Sequence, residues 1–98
     1  MHRDPSEGPL TEAVMRHKLE SLGYRVSLYT YQPGTYFPDH VHDIDKVDAV
    51  LSGTFRMIVE GSEVILKPGD AIVVPRGTFH SAEVVGNEPV VSLDATRS

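Results

Sequence analysis

Two histidines spaced by a single residue, His40 and His42, are the side chains of this sequence best suited to chemistry. They end the stretch Gly34-Thr35-Tyr36-Phe37-Pro38-Asp39-His40-Val41-His42, whose Tyr, Phe and Val favour an extended chain. Side chains alternate across a strand, so both imidazoles should point the same way, with Cα atoms about 7 Å apart at roughly 3.3 Å of rise per residue. Two imidazoles at that separation can converge on one ion. The chain has no cysteine, so a metal must be held by His, Asp, Glu or water. The same absence excludes disulfides, thiolate zinc sites and thiol nucleophiles. The rest of the sequence reads as a container that holds the pair and supplies a third nitrogen.

The container must be small. Ninety-eight residues, 40% hydrophobic and 23% charged, fit one globular domain. Residues 1–9 are polar, with two prolines and a glycine, and read as an N-terminal arm. Residues 10–23 read as a helix: Glu12, Ala13, Met15, Arg16, Lys18, Leu19 and Glu20 are good formers, and Gly23 stands where a helix stops. Leu10, Val14, Met15, Leu19 and Leu22 share one broad face, which should lie against something apolar. From residue 24 to 98 the pattern is β. Strand-like runs at 25–31, 35–41, 46–52, 54–60, 63–66, 71–75, 80–85 and 89–94 are separated by turn chemistry such as Pro33-Gly34, Pro68-Gly69 and Gly86-Asn87. Many short strands at this spacing predict an all-β sandwich or small barrel.

One strand bears on assembly. Val47, Ala49 and Leu51 fall on one parity and Val50 on the other, so the strand lacks a fully wet face. Either the helix or a second copy of the chain must cover it, and a homodimer is expected. A net charge of −5 argues against nucleic acid or an anionic membrane surface as partner. Without a long apolar run or a secretion signal in Met1-His2-Arg3-Asp4-Pro5, the expected address is the cytoplasm.

A second segment answers the first. Gly69-Asp70-Ala71-Ile72-Val73-Val74-Pro75-Arg76-Gly77-Thr78-Phe79-His80 is a turn, an apolar strand, another turn and a histidine that opens the next strand. Together the two segments resemble the cupin family. Gly34, His40, His42 and Gly53 stand at the spacings of its first motif, and Gly69, Pro75, Gly77 and His80 at those of its second. The resemblance covers about residues 25–94. It implies a jelly-roll β-barrel, here with one N-terminal helix, in which His40, His42 and His80 are ligands to a divalent metal. Nitrogen ligands with open positions suit Fe, Mn, Ni, Cu or Zn.

The sequence departs from the family twice. Lys46 stands at the position of the family's glutamate ligand, and Val84 at that of its second-motif asparagine. Asp45 is a candidate replacement ligand, and Asp48, of the same parity as Lys46, could reach inward. Alternatively, Lys46 and Asp48 pair with each other, leaving three histidines and water. A desolvated lysine can also be a neutral base or Schiff-base amine, which makes Lys46 and Asp48 the candidate catalytic residues. His2 and His17 read as a tail residue and a surface helix residue. Tyr36, Phe55, Met57, Ile72 and Val74 could line a pocket or simply be core, and Tyr29, Tyr31 and Arg56 could meet a ligand or face water.

Two functional readings follow. In the first, the barrel is a metal-dependent oxygenase or isomerase for a small organic molecule. In the second, it is a non-catalytic small-molecule-binding or sensing module, its metal structural or absent.

Overall fold

The computed structural model describes residues 12–98, so the arm at residues 1–9 and the start of the expected helix lie outside the described residues. Helix α1 spans Glu12–Ser21. It stops where Gly23 takes a positive φ of 90°, with Gly23 N–H bonded to the Glu20 carbonyl and Tyr24 N–H to that of Leu19. This is the Schellman arrangement, which glycine permits because it has no Cβ to clash. Among the described residues no helix is long and apolar enough to cross a membrane.

Eight strands follow: β1 Arg25–Tyr31, β2 Tyr36–His40, β3 Asp45–Ser52, β4 Thr54–Val59, β5 Ser62–Leu66, β6 Ala71–Val74, β7 His80–Val85 and β8 Val90–Arg97. They form two four-stranded antiparallel sheets, ordered β1-β8-β3-β6 and β2-β7-β4-β5. Non-consecutive strands lie side by side in both sheets, the jelly-roll pattern expected from the motifs. The core between the sheets is built from Val50, Phe55, Met57, Leu66, Val74, Ala82, Val84 and Val90.

The helix covers the middle of the first sheet's other face, while Leu28 and Val73 toward its edges stay exposed. Met15 and Leu19 of α1 pack with Val47, Ala49, Leu93 and Ala95, all of them buried. A second copy is therefore not needed to cover β3. Alternation explains the rest: Val47 and Ala49 face the helix, while Lys46, Asp48 and Val50 face the space between the sheets.

Several strand ends differ from expectation, most by one residue, and two of the differences have a clear cause. β8 runs on to Arg97 because it pairs on both sides, with Arg25–Tyr31 of β1 and with Asp45–Ser52 of β3. Those ladder bonds carry a polar tail that would not read as a strand alone. β2 ends at His40, before the expected end at Val41, after a register break between Phe37 and His40 around Pro38. Proline has no N–H for the ladder. Gly53 joins β3 to β4 at φ 82°, and a Cβ there would strike the Pro89 carbonyl oxygen.

Candidate metal centre

His40 closes β2, His42 lies just beyond it, and His80 opens β7 directly opposite His40 in the antiparallel register. The expected picture of two histidines on one regular strand is thus corrected: the chain leaves the ladder between them. The backbone of His42 is held instead by the second motif, its carbonyl accepting a 2.9 Å bond from Gly77 N–H. The rings still converge. Their centroids are 4.7 Å apart for His40 and His42, 4.1 Å for His40 and His80, and 5.2 Å for His42 and His80. One ligand atom from each of the three lies within 4.8 Å of the others.

Backbone carbonyls set two of the tautomers. Nδ1–H of His40 donates to Pro38 O at 2.7 Å, and Nδ1–H of His80 donates to Thr78 O at 2.9 Å. Each Nε2 is left with its lone pair, the arrangement found in metal-ligating histidines. His80 is 2% exposed, and its Nε2 has no hydrogen-bond partner. A buried polar atom without a partner is costly in a folded protein and calls for a ligand. Burial, together with Lys46 and the neighbouring rings, holds His42 below the ordinary imidazole range. Burial likewise lowers His80, against the Thr78 hydrogen bond, with His40 and Lys46 adding to the effect. Neutral imidazole is the ligating form, so the donor set fits a divalent transition metal.

The three rings open onto a cavity of about 190 Å³. Tyr31, Phe37, Phe55, Met57 and Ala82 form its apolar walls, and Lys46, Asp48 and Asp94 its polar side. Lys46 Nζ lies 2.9 Å from Asp94 Oδ1 and 3.4 Å from Asp48 Oδ1. Burial would lower the Lys46 pKa, but the two carboxylates outweigh it and hold Lys46 above the ordinary lysine value. Lys46 is therefore an ammonium, which does not fit a neutral base or Schiff-base amine. Burial pushes the Asp48 carboxyl up to about 6, Lys46 pulling against it and Asp94 pushing with it. Tyr31 is also raised, first by burial and then by Asp94 and Asp48.

Asp45 is not brought to the histidines. Its Oδ1 accepts the Arg76 backbone N–H at 3.0 Å and lies 3.5 Å from Arg76 Nε, and that backbone bond holds its carboxyl below the ordinary range. Of the other named residues, Tyr31, Phe55 and Met57 line the cavity, while Ile72 and Val74 belong to the core. Tyr29 and Tyr36 are exposed, and Arg56 pairs with Glu63 and Glu83 at 2.7 and 3.4 Å on the outer face. His17 is exposed on α1, and His2 lies outside the described residues. Asp94 escaped the sequence reading. Its only signal is an acid set in the apolar run Val90-Val91-Ser92-Leu93-Asp94-Ala95.

Comparison with known proteins agrees with this architecture. The chain is 32% identical over 83 residues to a gentisate 1,2-dioxygenase of a Ralstonia species, covering 80% of this chain and 23% of that protein. It is 35% identical over 51 residues to the pectin degradation protein KdgF of Dickeya dadantii, covering 51% of this chain and 46% of that one. The chain thus spans less than half the length of either curated relative. The structure of KdgF from a Halomonas species superposes with a TM-score of 0.65 at 28% identity, covering 76% of this chain and 70% of that one. The cupin-domain family itself matches residues 27–96, both histidine motifs included, and the chain belongs to the cupin family.

Proposed function

We propose that this protein holds one divalent transition metal on His40, His42 and His80 and acts on a compact organic acid as an oxygenase or isomerase. The observation that carries the reading is the buried, unpartnered Nε2 of His80, which opens with the other two imidazoles onto one cavity between the sheets. A bound ion would supply Lewis acidity toward a substrate oxygen at its open positions. Three neutral imidazoles add no negative charge, and Lys46 stands where the family has a glutamate, so an anionic ligand oxygen is favoured. Phe37, Phe55 and Met57 offer a ligand apolar walls, and an engineered cavity of about 150 Å³ already admits benzene, so this volume suits a molecule of one ring or less. The dioxygenase relative, by its name, acts on gentisate, which supports a small acid as ligand class.

A second reading, a non-catalytic binding module, is favoured by Lys46 at the glutamate position. Elemental analysis of untagged protein never exposed to a chelating column tests the first. About one Fe, Mn, Ni, Cu or Zn per chain is expected, lost in His40→Ala and His80→Ala and kept in His17→Ala. Protein that carries no metal and takes up none of these ions would sink the proposal and leave the binding module. Metal-loaded protein is then assayed for oxygen uptake with gentisate and for isomerisation of small keto acids.

A further inference from the structure

The cavity holds a second group of ionisable side chains that metal binding leaves unused. Asp48 on β3 and Asp94 on β8 are direct cross-strand partners, both on the cavity side, with Lys46 Nζ bridging them. Like charges opposed across a ladder are unfavourable, and taking them out of water adds to the cost. A barrel built for stability alone would continue the apolar series of Val50 and Val90, which face the same core. Asp48 is 6% exposed. The phenol of Tyr31 lies on the same wall, and the unpartnered Nε2 of His80 belongs to a residue lining the same space. Nitrogen lone pairs and a carboxyl group tethered by an ammonium therefore share one small cavity.

We propose that Asp48 takes a proton from a carbon of the ligand seated at the three histidines and returns it, and that this ligand is a compact acid with a C–H beside a carbonyl. The inference rests on the metal-centre reading and deepens it. In the forward step the Asp48 carboxylate accepts the proton, the C–H electron pair becomes the C=C bond of an enolate, and the carbonyl π pair moves onto the carbonyl oxygen. Return of the proton to the same carbon regenerates the acid; where the ligand carries a C=C conjugated with the enolate, return to the far carbon of that dienolate gives an isomer. No oxidant or reductant is consumed. Lys46 and Asp94 are positioning residues: they hold the Asp48 carboxyl in place and set its proton affinity from opposite directions. A carboxyl group near neutrality suits both halves of such a step.

Two probes test this on intact metal-loaded protein, with metal content measured in every sample. Oxalate has the charge and outline of a pyruvate enolate but no C–H. Calorimetry in two buffers of different ionisation enthalpy counts the protons taken up as it binds. Up to about one proton per oxalate is expected near pH 7 in the native protein and none in Asp48→Asn. Pyruvate in D₂O, followed by proton NMR, should lose its methyl protons, about 100-fold more slowly in Asp48→Asn and with partial rescue in Asp48→Glu. Lys46→Met should move the midpoint of proton uptake to higher pH and shift the pH profile of methyl exchange with it, whereas a lysine with a purely structural role would leave the exchange profile in place.

The native-protein measurements stand even where a variant fails to fold. Protein that binds no metal overturns the metal-centre reading. Metal-loaded native protein with no proton uptake or no exchange overturns only the present inference, as does uptake that persists in folded Asp48→Asn.

Discussion

Lys46→Met removes the cation from between two carboxylates while keeping an unbranched apolar stem in place. The side chains of Lys46, Asp48 and Asp94 are 12%, 9% and 20% exposed, so little water is on hand to replace the ammonium. Removing one partner of a buried ion pair costs roughly 3–5 kcal/mol, and the partial exposure of Asp94 points to the lower end, about 3 kcal/mol. For a domain of this size each kcal/mol moves the melting temperature by about 4–8 °C, which gives a drop of roughly 12–24 °C.

The loss depends on pH with a definite sign. The Asp48 pKa is raised from 3.8 to about 6 in the folded state, so the stability gained by its neutral form is full below pH 3.8 and lost as pH rises through 6. Lys46 pulls that value down, and its removal moves the window upward. Lys46 also lowers His42 and His80, so its removal eases their protonation in the folded state and acts in the same direction. The deficit should therefore be largest at pH 8 and shrink at pH 5. Thermal melts of chelator-treated native and variant protein, followed by circular dichroism at both pH values, measure it. A variant as stable as the native protein at pH 8, or a deficit equal at both pH values, would refute the reasoning.

Three further outcomes are expected. Gly53→Ala combines a positive φ of 82° with a backbone clash at Pro89 and should cost about 3 kcal/mol or more in urea unfolding, whereas Gly34→Ala, which meets open space, should cost only the strain of its φ of 85°, about 1–2 kcal/mol. Leu19→Ala empties a site that is 1% exposed between α1 and the first sheet, and a loss of roughly 2–5 kcal/mol is expected; a loss under about 1 kcal/mol would mean that the helix is not a fixed part of the domain. A metal at 100 times its dissociation constant should add about 2.7 kcal/mol of stability, read as a higher melting temperature that is absent in His80→Ala.

Much of the fold was legible because its signals are local. Pro33-Gly34 turns as expected, with Thr35 N–H bonded to the Gln32 carbonyl and Gly34 at φ 85°, because proline and glycine prefer those backbone angles wherever they stand. Strand alternation and the stop at Gly23 are of the same kind. The convergence of His40, His42 and His80 was legible through the fixed glycines and proline around them, which set where each strand begins. The regular strand geometry expected for His40 and His42 was not met, because the break at Pro38 depends on how β2 meets β7.

By itself, then, the sequence determined the chain's turns, its strands, its helix and three histidines at metal-binding spacing, since each of these follows from near-neighbour sterics and side-chain parity. Tertiary structure alone decided the partners. Asp45 could have joined the histidines, but the β6–β7 turn brings the Arg76 backbone N–H to it. Lys46 could have faced a metal as a free amine, but the β3–β8 register sets Asp94 opposite Asp48 and within 2.9 Å of the ammonium. Which charges meet inside a barrel depends on the pairing of strands far apart in the chain, and no local rule specifies that register.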